Sequence, residues 1–320
     1  MQDILTITLN PALDMATATD HVSAGPKLRC DAPRNDPGGG GINVSRVIRT
    51  LGGQSRVLVA VGGPLGDTLC GLLRHEGLDL LPISAPGDTR LDLAVTDRSS
   101  GGQYRFVMPG PDWTGAHLTD LMGMLADTVP DRGFVVLSGS MPPGVPDDFP
   151  DCLGDALAHR RARLIADLSG TALKTICIPA ARPVTLLRMN RFEAQDIAGR
   201  ALTSRAASAG FAAGLVQSGA AEIAVVARAA DGSVMATAEG CFHCGAPEVP
   251  VRSKIGAGDS FVGGFILALA RGLPPEEALR HGTAAATAAV MTEATELCTR
   301  ADADRLLPLC KVEPLTAETA

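Results

Sequence analysis

Short apolar runs recur along the chain, and each breaks at a polar or glycine-rich corner before a helix-length segment begins. Residues 4–9, 56–61, 134–137, 163–166, 184–187 and 222–227 read as strands. The segments between and after them carry helical patterning, for example Val44, Val47, Ile48 and Leu51 on one face. Strands that alternate with helices throughout a chain predict an α/β fold with a doubly wound, mainly parallel sheet flanked by helices. In such sheets binding residues gather where strands end. The corners here carry Asn10-Pro11, Ser138-Gly139-Ser140, Asp167-Leu168-Ser169-Gly170 and Arg188-Met189-Asn190-Arg191-Phe192-Glu193.

With 320 residues and 46% hydrophobic content, the chain can bury a large core. Aromatics make up 3%, so that core must be built of Leu, Val, Ala and Ile. A net charge of −7 argues against a nucleic-acid partner. No apolar run reaches the roughly 18 residues of a membrane span. Met1-Gln2-Asp3 lacks the basic start of a signal peptide, and the eight scattered cysteines suit a reducing cytosol, so a cytoplasmic location is expected. Cys241-Phe242-His243-Cys244 has ligand-like spacing, but no second pair lies nearby. A short strand with two thiols is expected there rather than a zinc site.

Two glycine-rich stretches carry chemistry. In Ile255-Gly256-Ala257-Gly258-Asp259-Ser260-Phe261, small residues let backbone N–H groups converge at the start of an apolar helix. The helix dipole adds positive potential there, which suits a phosphate in flight. Asp259 stands at the edge of that anion hole, where a general base can take a hydroxyl proton. In Pro37-Gly38-Gly39-Gly40-Gly41, four glycines cost conformational entropy that close backbone approach to a ligand would justify. Asn43 is expected to open the following helix, and Asp14 to lie in a loop after the first strand.

Residues 17–36 and 91–107 mix β-formers with turn residues, and Asp97-Arg98-Ser99-Ser100-Gly101-Gly102 signals a hairpin. No linker-like composition separates them from the rest. The chain is therefore read as one domain, 1–320, with β inserts at about 15–36 and 88–108. The tail from Lys311 is weakly patterned and is expected to be mobile.

Taken together, Leu9-Asn10-Pro11-Ala12-Leu13-Asp14, Lys27-Leu28-Arg29-Cys30, Pro37-Gly38-Gly39-Gly40-Gly41-Ile42-Asn43-Val44, Tyr104-Arg105-Phe106, Ser138-Gly139-Ser140-Met141-Pro142-Pro143-Gly144 and the Asp259 motif resemble the ribokinase-like (PfkB) sugar kinases. The similarity covers nearly the whole chain. It is strongest to the branch holding minor 6-phosphofructokinases, 1-phosphofructokinases and tagatose-6-phosphate kinases. The resemblance implies a small β-sheet lid whose outer face pairs with a second subunit, and ATP-dependent phosphorylation of a ketohexose phosphate, fructose 6-phosphate foremost. It implies Asp259 as base and Gly256, Ala257 and Gly258 around the transferring phosphoryl group. It places the sugar on Asp14, Gly38, Gly39, Asn43 and Ser140, and its existing phosphate on Lys27, Arg90 and Arg105. The nucleotide falls to Asn190, Ala227, Gly232, Gly256 and Gly258, and Mg²⁺ to Asn190 and Glu193 through water, with a monovalent cation such as K⁺ admitted. The two other activities of the branch stay open, as does a sugar-phosphate-binding protein with a degraded nucleotide site.

The donor side departs from the family. Arg188-Met189 stand where relatives carry Lys-Pro, and Ala227-Arg228-Ala229 where they carry a Ser-Leu-Gly-type segment. Thr292-Glu293-Ala294 lacks an Asn and a Gly expected beside the adenine. These changes are expected to spare the anion hole and to weaken nucleotide binding. Arg228, at a strand end, is expected to face water.

Overall fold

The computed structural model describes residues 1–179, 182–293 and 295–318. Strand β1 (Ile4–Thr8) leads into β2 (Ala12–Thr19), and β3 (Arg34–Gly38) precedes helix α1 (Gly40–Thr50). Next come β4 (Arg56–Val61), α2 (Gly63–His75), β5 (Asp79–Ser84), and the hairpin of β6 (Arg90–Asp97) and β7 (Gln103–Val107). The alternation resumes with α3 (Gly115–Thr128), β8 (Phe134–Gly139), α4 (Phe149–Ala158), β9 (Arg163–Leu168), α5 (Gly170–Ile176), β10 (Val184–Asn190), α6 (Arg191–Ala198), α7 (Arg205–Gln217) and β11 (Ala221–Ala227). The hairpin of β12 (Ser233–Thr237) and β13 (Gly240–Cys244) is followed by α8 (Ala257–Ala270), α9 (Pro275–Ala289), α10 (Arg300–Leu306) and β14 (Val312–Leu315).

Among the described residues a ten-stranded sheet runs in the order β14-β13-β12-β11-β10-β9-β8-β1-β4-β5. Its seven strands from β11 to β5 are mutually parallel, and β12, β13 and β14 add an antiparallel edge. Side chains of β8 sort by the two-residue period of a strand. Phe134 and Val136 enter the core under α1, α8 and α9, with Val47, Phe265 and Ala285. Val135 and Leu137 enter the opposite core, with Leu125 of α3, Leu153 of α4 and Leu173 of α5. Both faces are apolar because both are covered by helices, as a parallel sheet requires.

The second sheet has the order β3-β2-β6-β7. It corrects two expectations. Asp14 lies within β2, paired across to Asp36 of β3 and Asp92 of β6, rather than in a loop. The strands begin at Ala12 and reach Gly38, so this sheet starts nearer the first strand than residue 15. The glycine run is likewise no simple loop: Pro37 and Gly38 finish β3, and α1 starts at Gly40 with Asn43 in its first turn. The tail is ordered through residue 315, since Val312–Leu315 pairs with β13 and occupies the hydrogen-bonding edge that strand leaves open. Residues 319 and 320 of the tail lie outside the described residues. Cys241-Phe242-His243-Cys244 is part of β13, and no cluster of three His, Cys, Asp or Glu side chains among the described residues could hold a metal.

Candidate active site

The carboxyl ends of β1, β8, β9 and β10 and the amino ends of α1 and α8 face one cleft, where a doubly wound sheet collects its ligands. Helix α8 runs for 14 residues behind Gly256, whose φ of 72° lets the chain turn into the helix. The first N–H groups of such a helix, here at Ala257 and Gly258, have no intrahelical partner and present positive potential to the cleft.

Asp259, half-buried in the first turn of α8, accepts a hydrogen bond from Asn43 Nδ2 at 2.9 Å. Burial pushes its pKa up to about 7, helped by the negative charge of Asp167 and opposed by the Asn43 hydrogen bond and the Arg188 charge. The carboxyl is thus near the balance point between holding and releasing a proton at neutral pH.

Arg188 overturns the expectation that the donor-side departures spare the anion hole. Its side chain is 14% exposed, and Nη1 lies 3.1 Å from Asp167 Oδ1. A side-chain carbon on Gly258 would fall only 2.8 Å from Arg188 Nη1. The guanidinium is therefore laid against the glycine of the helix N-terminus, and its buried Nε has no hydrogen-bond partner among the described residues. Met189, its neighbour, points into the core instead. Asp167 and Arg188 are the residues that sequence reasoning undervalued. Their only signal was position, each at the end of a parallel strand.

Asp14 has a pKa raised to about 6, first by burial and then by Asp92, with Arg90 and Arg105 acting to lower it and Asp36 to raise it. Its carboxyl lies over Gly38, where a side-chain carbon would meet Oδ2 at 2.5 Å. Any side chain on Gly40 would strike Ser138 Oγ, so the glycine run lets β3 and α1 close on β8. Gly39 links the two as the N-cap of α1. Ser140 Oγ accepts from Asn10 Nδ2 at 3.0 Å at the cleft rim.

The three basic candidates differ in availability. Arg105, on β7, is exposed and close enough to influence Asp14. Arg90 is engaged: Nη1 donates to both Asp92 oxygens at 2.7 Å, and other guanidinium nitrogens reach the Asn10 carbonyl at 3.3 and 3.4 Å. Lys27 stands exposed between β2 and β3, and no described hydrogen bond or ion pair ties it to the cleft.

Asn190 and Glu193 form a reciprocal cap on α6. Asn190 Oδ1 accepts from the N–H groups of Phe192 and Glu193, and Glu193 Oε2 accepts from Asn190 N at 2.7 Å. Burial raises the Glu193 pKa, the Asn190 N–H and Arg188 oppose it, and Asp167 adds to it. The carboxyl thus shares a field with Asp167 and Arg188. Ala227 pairs beside Asn190 at the end of β11. Gly232, with φ 84°, sits in the β11–β12 turn, where a side chain would strike the Cys244 carbonyl, so the turn alone explains it.

Arg228 does not face water. It is 8% exposed and donates to the carbonyls of Leu202, Thr203 and Ser204, to Ser208 Oγ and to Asp231. Five acceptors of the surrounding chain replace the water that an exposed guanidinium would bind. Of Thr292-Glu293-Ala294, residue 294 lies outside the described residues.

Residues 8–302 match the family described as pfkB family carbohydrate kinase. The chain belongs to this family. It is 37% identical over 306 residues to the ATP-dependent 6-phosphofructokinase isozyme 2 of Escherichia coli K12, covering 96% of this chain and 98% of that one. The 1-phosphofructokinase of Bacillus subtilis is 31% identical over 312 residues, 98% and 100% of the two chains. Phosphofructokinase-2 from Escherichia coli, solved in complex with potassium, superposes with a TM-score of 0.91 over 97% of this chain and 99% of that one, at 36% identity. The protein is thus a carbohydrate kinase of ribokinase-like α/β fold, transferring phosphate to a hydroxyl. No described helix is long and apolar enough to cross a membrane.

Proposed function

We propose that the protein phosphorylates a ketohexose phosphate, with ATP as donor and fructose 6-phosphate as the preferred acceptor. The observation that carries this is the junction of α1 and α8: Asn43 holds Asp259 at the mouth of the α8 anion hole, with Arg188 laid against Gly258. Asp259 takes the proton of the attacking hydroxyl. The amides of Ala257 and Gly258 and the Arg188 guanidinium stabilise charge on the phosphoryl group in transit, which is the main demand of this chemistry. Arg188 leaves Asp167 to do so, and its planar fork fits phosphate oxygens better than a lysine would.

Asp14, Gly38, Gly39, Asn43 and Ser140 orient the sugar. Arg105 is the readiest cation for the phosphate already present. Arg90 joins it by exchanging an Asp92 contact, and Lys27 requires the β2–β3 loop to fold inward. The 6-phosphofructokinase relative supports the acceptor, and the 1-phosphofructokinase relative makes fructose 1-phosphate the second candidate. Glu193 and Asp167 suit a hydrated Mg²⁺, because two carboxylates in one field suffice for an ion that keeps most of its waters. Bound there, Mg²⁺ would neutralise donor phosphate charge. Asn190 contributes by positioning Glu193. Ala227, Gly256 and Gly258 border the donor, and K⁺ is a candidate additional ion because the potassium complex is a structural neighbour.

The small sheet is proposed as a homodimer face. Its edge strand β7 exposes Tyr104, Phe106 and Val107, the last 64% exposed. The same Escherichia coli enzyme has also been solved as a tetrameric inhibited form, so assembly beyond the dimer is an outcome to test. The function is tested by a coupled assay with ATP, Mg²⁺ and a panel of hexose phosphates. Turnover with fructose 6-phosphate at the highest kcat/KM is expected. Turnover with fructose 1-phosphate or tagatose 6-phosphate instead would reassign the acceptor, and binding without turnover would leave a sugar-phosphate-binding protein.

A further inference from the structure

The small sheet is tied to the loop between α9 and α10 by a contact that the site description leaves unused. Asp36, on β3, accepts from Thr295 Oγ1 at 2.7 Å and from Arg34 Nε at 2.8 Å. Arg34 Nη2 donates to the same Thr295 Oγ1 at 2.9 Å, and Arg34 Nη1 lies 3.8 Å from Glu296 Oε1. A threonine hydroxyl has one proton to give and lone pairs to receive. Here it gives to Asp36 and receives from Arg34, closing a three-membered ring between residues about 260 apart in sequence.

Each side of that ring leads to a different half of the cleft. On one side, Asp36 is the cross-strand partner of Asp14 and acts on its charge. On the other, Thr295 is two residues from Leu297. The turn is braced, since Thr292 Oγ1 lies 2.8 Å from the Ala289 carbonyl and 2.7 Å from the Glu296 carbonyl and gives its one proton to one or the other. Leu297 in turn seats against Gly256, where a side-chain carbon would lie 2.5 Å from its Cδ2. Asp14, Asp36, Thr295, Leu297 and Gly256 therefore form a continuous run from the strand under the proposed sugar to the cap of the anion-hole helix.

We propose that Thr295 is a positioning residue that couples the two substrates: the Thr295–Asp36–Arg34 ring makes binding at Asp14 and binding at Gly256–Gly258 mutually favourable. The inference rests on the kinase reading above. Its two states are ring made and ring broken. Moving the small sheet away from the α9–α10 loop breaks the ring, and a ligand that touches both Asp14 and Gly256–Gly258 favours the made state. By linkage, the factor by which acceptor tightens donor equals the factor by which donor tightens acceptor.

The test is titration calorimetry with fructose 6-phosphate and a non-hydrolysable ATP analogue with Mg²⁺, each titrated with and without the other. Wild type is expected to show mutual tightening of at least about fivefold. Thr295→Val, which keeps shape and removes the hydroxyl, should bring that factor close to one and lower kcat more than it raises either KM. Thr295→Ser should restore wild-type coupling, which a merely structural role for the methyl-bearing side chain would not. If Thr295→Val keeps the wild-type factor, or wild type shows no mutual tightening while binding both ligands, the proposal is overturned and the kinase reading stands. If wild type binds neither ligand, the kinase reading fails and the proposal with it.

Discussion

Burial gives Asp259 a proton affinity suited to its proposed task, and the sign of the effect is testable. A base must be ionised, so kcat/KM should rise as pH climbs through about 7, the value to which its pKa is raised. Asn43→Ala removes the hydrogen bond that favours the carboxylate, so the acid limb should move to higher pH. Stability runs the other way. Folded Asp259 keeps its proton up to about 7, whereas the ordinary value is 3.8. Its favourable contribution is complete below pH ~4 and is lost as pH rises through about 7. Asp259→Asn should accordingly be more stable than wild type by about 1–3 kcal/mol at pH ~8, with the gap closing near pH ~4 in thermal melts. An equal gap at both pH values would contradict the assignment of burial as the cause. Arg105→Ala should raise KM for a phosphorylated acceptor with an effect of about 1.5–3 kcal/mol, leaving KM for ATP near wild type. A larger change for ATP than for the acceptor would move Arg105 away from the sugar phosphate.

At the scale of the elements, the α6 cap carries two proposed roles that one pair of substitutions separates. Glu193→Gln retains an oxygen for the Asn190 N–H and should change stability by less than about 0.5 kcal/mol, since Gln serves in such caps. It removes the charge, so the Mg²⁺ concentration for half-maximal activity should rise. Glu193→Ala should also lower the melting temperature. Equal Mg²⁺ dependence in wild type and Glu193→Gln would confine Glu193 to capping. Arg228→Leu leaves the carbonyls of Leu202 and Thr203 without a donor in a packed loop, while Asp231 keeps Arg205, and should cost about 1–3 kcal/mol of stability, read by chemical denaturation. A near-neutral result would show that water replaces the guanidinium there. The alternation of strands and helices was legible because each strand is an apolar run that closes at a polar corner. Asp14 was misread as a loop residue because Asn10-Pro11 signals a turn just before its strand, Ala12–Thr19, whose middle is half-buried on both faces and whose alternation of apolar residues shifts phase at Ala16. The fourteenth strand was illegible because Val312–Leu315 is extended only through the partner edge of β13. Arg188 and Arg228 were misjudged for one reason: a long cationic side chain takes its direction from acceptors that only the folded chain brings near.

For the whole molecule, the two sheets meet at the cleft, and each carries part of the proposed site. Asp14 and Arg105 belong to the small sheet, Arg188 to the large one, and Asp259 to helix α8 packed against it. The proposed dimer face should appear in ultracentrifugation as a dimer at micromolar concentration, and Phe106→Asp, on exposed β7, should release monomers. The claim that joins all of these parts is that Asp259 is the base of a sugar-phosphate kinase. The most direct measurement is turnover by Asp259→Asn beside calorimetric binding of fructose 6-phosphate to the same variant. The account predicts that kcat falls by ~10²–10⁴-fold while the sugar phosphate binds within about threefold of wild type. A variant that keeps a tenth of wild-type kcat would contradict it.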